Sequence, residues 1–367
     1  MIIRNLRVPF NYAKFSSLKT IGLMIYRKVF FRLEEKNMKI NRLEIKNPVV
    51  LAPMGSNKCI DGYVTEELIE QYVRRTEGGY AGLIILEHSY VHDNGKASAG
   101  MMGISDDRYL EGLKKLVDKI HESETPVFAQ INHAGSSTTE EISGFKVKGP
   151  SAVVNPAARP DIEKKSMPEE MIAEDILKLQ DAYTEATIRA RKAGFDGVEI
   201  HSAHGYLLNQ FFSPLTNKRD DEYGCSSVED RCRFMLEVIR KARQAVGEDY
   251  PISVRLGGCD YMEGGSSIAD AVKAASLIEE AGADMISLSG GMCKYILQGR
   301  NEAGYFKDMT MAVKEKVSIP VMIAGGVKDI KDVRTLLDEG AADLIGVGRA
   351  ILADERWTEH NLKGEKF

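Results

Sequence analysis

From residue 49 onward the chain alternates two hydrophobic patterns. Short apolar runs occur at Val49–Ala52, Gly82–Leu86, Val127–Ile131, Gly197–His201, Ile252–Leu256, Met285–Leu288, Val321–Ala324 and Leu344–Val347. Their brevity and their Val, Ile and Leu content predict buried strands. Between them, Glu66–Arg75, Tyr109–Glu122, Pro168–Ala193, Glu229–Val246, Ile268–Ala281, Asp308–Lys316 and Ile330–Glu339 carry apolar residues every three or four positions, which predicts helices. Ala193-Gly194, Ala281-Gly282 and Glu339-Gly340 supply glycine stops before the next strand. Eight strands alternating with helices imply an α/β fold with a parallel sheet, and eight is the number that closes it into a (β/α)8 TIM barrel. An open, doubly wound sheet is the alternative. Ahead of the first strand, Lys39–Lys46 alternates apolar and polar residues around Asn41-Arg42, predicting a hairpin that caps the barrel floor.

The chemistry concentrates in Gly197-Val-Glu-Ile-His-Ser-Ala-His-Gly-Tyr206. In an extended strand Val198 and Ile200 face one way while Glu199 and His201 face the other. His201, His204 and Tyr206 then fall where a barrel strand gives way to its loop, the end at which barrel enzymes place their active sites. Two imidazoles and a phenol there suit gripping an oxygen and delivering a proton. A zinc site is the rival reading, but no H-E-x-x-H helix and no cysteine pair completes one. A plain core tyrosine is the rival for Tyr206. Of the other histidines, His88, His92, His121, His133 and His360 read mostly as surface or turn residues. The connection from Asn132 to Pro168 is too long for an ordinary loop, which predicts a functional segment covering the mouth.

Charge changes the picture at one end. Residues 1–37 hold eight Lys or Arg against two Glu, so within a formal charge of −5 the remainder carries −11. This divides the chain into a basic extension, 1–37, and a barrel domain, 38–367. The extension reads either as a membrane- or partner-touching amphipath or as a disordered leader before a start at Met38; its apolar stretch is too short to span a bilayer. The acidic balance speaks against nucleic acid as a partner. Cys59, Cys225, Cys232, Cys259 and Cys293 are scattered, as expected of reduced thiols in a cytoplasmic protein.

Several stretches together carry a family pattern: Ala52-Pro-Met54, Gln130 with His133-Ala-Gly135, Gly149-Pro-Ser151, His201-Ser-Ala-His204-Gly-Tyr206, Ser213-Pro214 with Asn217 and Arg219, and Gly348-Arg349. In order and spacing, from about Met38 to Trp357, the chain resembles the old yellow enzyme family of NADH:flavin oxidoreductases. Ala52-Pro-Met-Gly55 followed by Asp61-Gly-Tyr-Val-Thr65 most resembles the barrel domain of the clostridial 2-enoate reductase and bile-acid branch.

The resemblance implies FMN as cofactor, NADH or NADPH as hydride donor, and reduction of the C=C bond of α,β-unsaturated carbonyl compounds. His201 and His204 would hold the carbonyl oxygen and Tyr206 would supply the proton. Ala52, Pro53 and Met54 would pack on the flavin ring. Gln130 has an amide that donates and accepts at once, as a pyrimidine edge demands, and Arg255 would offset charge on the reduced ring. The glycine turns Gly325-Gly326 and Gly348-Arg349 would take the phosphate, with Ser289 and Gly290 adding contacts. Two cofactor positions depart from the pattern. Gly55 stands where many relatives have Thr or Cys, and His88 stands where Gly or Ala is common. Tyr223–Arg231 is one residue longer than usual. The long relatives carry a cysteine cluster and a dinucleotide-binding domain that this sequence lacks, so no iron–sulfur cluster is expected in this chain. Alternatives are the same flavin site run oxidatively as a desaturase or amine demethylase, a non-catalytic flavin subunit, and a flavin-free barrel lyase or isomerase. A homo-oligomer stays open.

Overall fold

All eight apolar runs are strands, and their order around the sheet is the order of the chain. In the computed structural model, which describes residues 38–158 and 167–367, a hairpin of β1 (Met38–Ile40) and β2 (Leu43–Ile45) leads into β3 (Val49–Leu51), β4 (Leu83–Ile85), β5 (Val127–Asn132), β6 (Gly197–Ser202), β7 (Ile252–Cys259), β8 (Met285–Gly290), β9 (Val321–Ala324) and β10 (Leu344–Val347). From β3 to β10 each strand pairs in parallel with the next, and β10 pairs with β3 to close the ring. This is a (β/α)8 barrel. The expectations for residues 1–37, and the part of the long connection at 159–166, lie outside the described residues.

Strand alternation divides the apolar residues into two cores. Val49, Leu51, Ile84, Ile131, Val198, Ile200, Val254 and Leu288 point outward and pack under the helices. Val50, Leu83, Ile85, Phe128, Met285, Met322 and Leu344 point into the barrel and meet Ile40 and Ile45 of the hairpin. The hairpin thus plugs the floor, as its sequence predicts. Asn41 at its turn takes φ +55° and donates through Nδ2 to Glu248 O (2.7 Å) and Asp284 Oδ1 (2.9 Å), which fixes the plug to the barrel rim.

The helices α1 (Glu66–Thr76), α2 (Leu110–His121), α3 (Ala173–Lys192), α5 (Val228–Val246), α6 (Ile268–Glu280), α7 (Lys307–Lys314) and α8 (Ile330–Asp338) follow the predicted segments within a few residues. The exception is α3, predicted from Pro168. Glu169–Glu170 pair instead with Lys148–Gly149 as a short parallel ladder, and Asp175 Oδ2 accepts from Ile172 N (3.1 Å) and Lys148 Nζ (2.7 Å), fixing the helix start at Ala173. Periodicity also leaves out short helices, among them α4 (Leu207–Phe212), α9 (Arg349–Ala353) and α10 (Trp357–Leu362). Each is too short for a repeat to register.

Phe128 is the largest wedge in the inward cluster and is fully buried. A Cβ on Gly197 would come within 2.5 Å of its ring, so strand β6 begins with the one residue that leaves it room. Phe128→Ala should therefore cost about 3–5 kcal/mol of stability in urea denaturation. A loss under about 1 kcal/mol would mean that the lower barrel is not close-packed around this ring.

Candidate active site

The upper half of the barrel interior changes character. Above the apolar floor the inward positions become Gln130, Glu199, Ser253 and Ser287, all buried, and above those come His201 and Arg255. The registers Glu199 with Gln130 and Ser253, and His201 with Arg255, set these residues side by side across three strands. A cavity of about 740 Å³ opens on this level at the C-terminal ends of the strands.

His204 and Tyr206 reach the cavity through a distorted loop. His204 and Gly205 both have positive φ, +60° and +73°. His204 N donates to Gly290 O (3.3 Å) and Tyr206 N to Ala203 O (3.2 Å). The Gly205 carbonyl accepts from Ser137 Oγ (2.6 Å), Asn155 Nδ2 (2.9 Å) and Gln210 Nε2 (2.7 Å). A side chain at 205 would strike Ala157, at 2.3 Å from its Cβ, so glycine is required here by both space and backbone. The described residues of the long connection do not line the cavity; two of them, Ser137 and Asn155, hold the backbone of this loop.

The rings form one cluster. His201 meets His204 edge-on at 5.1 Å between centroids and Tyr206 at 5.1 Å. His88 lies 5.0 Å from Tyr206 and 6.1 Å from His201, and its Nδ1 bonds Asn132 Nδ2 at 2.9 Å. His204 Nε2 bonds Ser289 Oγ at 2.8 Å, which leaves Nδ1 to a ligand. His201 Nδ1 is buried without a hydrogen-bond partner, and so is Arg255 Nε.

Burial sets the protonation states. It pushes His201 well below the usual imidazole range, helped by the neighbouring His204, Arg255 and His88, any of which would repel a charge on the ring when itself charged. His204 is lowered in the same way, by burial and then by Arg255, His88 and Lys294. Both rings are therefore neutral near pH 7 and each keeps one N–H to donate. Burial raises the Glu199 carboxyl, and the charge of Arg255 and bonds from Gln130 and Ser253 oppose the shift. Charge couples Arg255 to Glu199, and Arg255 Nε is buried without a hydrogen-bond partner.

Of the residues singled out in the sequence, Ala52, Pro53, Met54, Gly55, His88, Gln130, His201, His204, Tyr206, Arg255, Ser289, Gly325, Gly326, Gly348 and Arg349 all line this cavity. Gly290 does not. It is buried and serves through its carbonyl, which holds His204 N. His133, read with the surface histidines, is instead buried, with its pKa lowered to about 3 by desolvation and then His92. The sequence reading missed Tyr295, Asn301, Tyr305, Lys328 and Leu352. Tyr305 OH accepts from Arg349 Nη2 (3.2 Å) and donates to Tyr295 O (2.5 Å), and Tyr295 packs on His204 at 5.7 Å. For Tyr295, Asn301 and Tyr305 the available signal was the long glycine-containing loop between β8 and α7, where a barrel carries its function.

Comparison with known proteins agrees with this geometry. Residues 36–366 match the NADH:flavin oxidoreductase / NADH oxidase family. The chain belongs to that family. It is 37% identical over 335 residues to an NADH oxidase of Thermoanaerobacter brockii, covering 89% of this chain and 50% of the relative. It is 34% identical over 330 residues to the NADPH dehydrogenase of Bacillus subtilis, covering 89% and 92%. Among solved structures, a 2-naphthoyl-CoA reductase in complex with 2-naphthoyl-CoA superposes with a TM-score of 0.81 at 28% identity, over 89% of this chain and 52% of that one. The old yellow enzyme homologue of Zymomonas mobilis gives 0.75 at 25%, over 87% and 89%. The chain spans about half the length of the NADH oxidase and of a metal reductase of Desulforamulus reducens, of which it covers 48%.

The cofactor of this family of flavin oxidoreductases is FMN, with NAD(P)H as hydride donor. The residues present fit it. The unpartnered Arg255 Nε and His201 Nδ1 are buried polar atoms of the kind a bound polar ring would satisfy. Gly325, Gly326 and Arg349 line the same cavity, and Gly326, at φ +74° with Glu302 O only 2.3 Å from where a Cβ would stand, must be glycine. Among the described residues no cluster of His, Cys, Asp and Glu is placed to hold a metal ion, and no helix is long and apolar enough to cross a membrane.

The buried imidazoles give a pH dependence of stability. His201, His204 and His133 are lowered in the folded state, whereas each protonates near 6.5 when unfolded. The unfolded state therefore gains protons first as pH falls, and stability drops below about pH 6.5 by up to about 1.4 kcal/mol per pH unit for each histidine. Glu87 and Glu199, raised by burial, act in the opposite sense. The difference between wild type and His204→Asn isolates one share, and chemical denaturation at pH 7.5, 6.0 and 5.0 should show a shallower acid loss in the variant. Equal slopes would mean that His204 protonates normally in the fold.

Proposed function

We propose that this chain is an FMN-dependent ene-reductase that uses NADH or NADPH to reduce the C=C bond of α,β-unsaturated carbonyl compounds. The observation that carries the reading is the convergence of two neutral imidazoles and one phenol on a cavity that also holds Gln130, Arg255 and the Arg349 turn. The printed names of the relatives, an NADH oxidase, an NADPH dehydrogenase and a 2-naphthoyl-CoA reductase, support the redox class and leave the nicotinamide and the acceptor open.

When bound, FMN supplies a hydride at its ring, taken from the nicotinamide and passed to the β-carbon of the acceptor. The chain's residues do the rest. Gln130 and Arg255 would hold the polar edge of the cofactor ring, with Arg255 offsetting negative charge there. Ala52, Pro53, Met54, Gly55 and His88 would line the ring site, and Ser289 with the turns at Gly325-Gly326 and Gly348-Arg349 would hold the phosphate-bearing tail. His201 and His204 donate N–H to the substrate carbonyl and draw density from its β-carbon. Neutral rings suit this role. An imidazolium would itself need a counter-charge in a buried site, and Arg255 already occupies the same level. Tyr206, bordered by His88 and His201, delivers the proton to the α-carbon.

Tyr206→Phe tests the assignment because it deletes one oxygen and keeps the ring packing. Reduction of the protein-bound flavin by NAD(P)H should stay within a few-fold of wild type, while reoxidation by an unsaturated ketone or acid should slow about 10²-fold or more in anaerobic stopped flow. If both half-reactions of the variant matched wild type, Tyr206 would not be the proton donor. A purified wild-type protein that is colourless and takes up no FMN would end the flavin reading itself.

A further inference from the structure

The polar layer beneath the cavity contains a carboxylate that the reaction outlined above leaves without a task. Glu199 is fully buried on the inward face of β6, directly beneath His201 and in register with Gln130 and Ser253. It does not border the cavity. Its Oε1 accepts from Gln130 Nε2 at 2.7 Å, and its Oε2 accepts from Ser253 Oγ at 3.2 Å.

The consequence concerns the orientation of an amide. Gln130 does border the cavity, and a glutamine amide can present either its oxygen or its nitrogen upward by a half-turn of its last bond. With Glu199 ionised, the state that the charge of Arg255 and the bonds from Gln130 and Ser253 favour, its oxygen below accepts one N–H, and the half-turn would set two acceptor oxygens against each other. Gln130 is thus held with Nε2 toward Glu199. Its Oε1 makes no hydrogen bond among the described residues, and it is left, with the second N–H, to whatever fills the cavity. An acceptor beside a donor is complementary to an imide edge, an N–H flanked by a carbonyl.

We infer that Glu199 is a positioning residue that fixes the Gln130 amide so that the site selects a ligand edge bearing an N–H donor. The inference rests on the flavin reading, in which that edge is the imide of the pyrimidine ring. Glu199 acts through Gln130 and touches neither cofactor nor substrate.

A ligand pair tests it without turnover. FMN and 3-methyl-FMN carry the same charge and the same redox ring, but the second has a methyl where the imide proton was. Fluorescence-quenching titration of the wild-type protein should favour FMN by about tenfold or more, the weight of one hydrogen bond plus a misfitting methyl. In Glu199→Leu, or in Glu199→Met should the first fail to fold, the amide can turn and the preference should fall to within about threefold. Gln130→Leu should remove the preference as fully, and Glu199→Leu should then add no further change to it. Loss of the barrel's stability alone would weaken both flavins in proportion and leave their ratio unchanged, which separates positioning from a structural role. A Glu199→Leu protein that folds and keeps the wild-type ratio would overturn the inference. A wild-type protein that binds neither flavin would overturn the flavin reading and this inference together, and that outcome is visible before any variant is made.

Discussion

The register in which Gly197–Ser202 lies between its two parallel neighbours decides what this barrel can do. With period-two alternation, a slip by one residue would carry Glu199 and His201 into the helix layer and bring Val198 and Ile200 to the mouth. The outward core prevents it. Val198 and Ile200 are fully buried against the helices, and exchanging them for a carboxylate and an imidazole would bury polar groups without partners. The hydrophobic packing outside the barrel is what aims the polar side chains inside it.

Inside, the chain stacks three levels of different chemistry. The floor is apolar and plugged by the hairpin, the middle is a hydrogen-bonded layer around Glu199, and the top holds His201 and Arg255 beside the His204–Tyr206 loop. The order has an energetic logic. A dry floor lowers the local dielectric, so the groups above it are desolvated, and desolvation keeps both imidazoles neutral. The same desolvation makes every unfilled hydrogen bond at the top expensive, and the unpartnered Arg255 Nε and His201 Nδ1 make the cavity receptive to a polar ligand.

The loop that carries His204 and Tyr206 depends on support from far along the chain. Three donors from Ser137, Asn155 and Gln210 converge on one carbonyl, that of Gly205. A residue pair in left-handed conformation is strained relative to an ordinary turn, and the surrounding bonds hold it there. Two of those donors, Ser137 and Asn155, come from the long segment after β5, which therefore supports this loop. Likewise Ser289 bonds His204 as well as bordering the cavity, so the residue that the resemblance assigned to the cofactor also orients an imidazole of the cluster.

By itself the sequence determined the number of barrel strands, their order, the inward face of the central strand, and most of the residues at the mouth. Those features follow from local periodicity and from motifs whose spacing is set along one strand or turn, as with His201, His204 and Tyr206. Tertiary structure alone decided the rest. The pairing of Glu199 with Gln130, the burial of His133, the Tyr295–Tyr305–Arg349 chain and the support of Gly205 join residues tens of positions apart. No local pattern encodes such contacts, because they exist only once closure of the ring has brought separate loops to one rim.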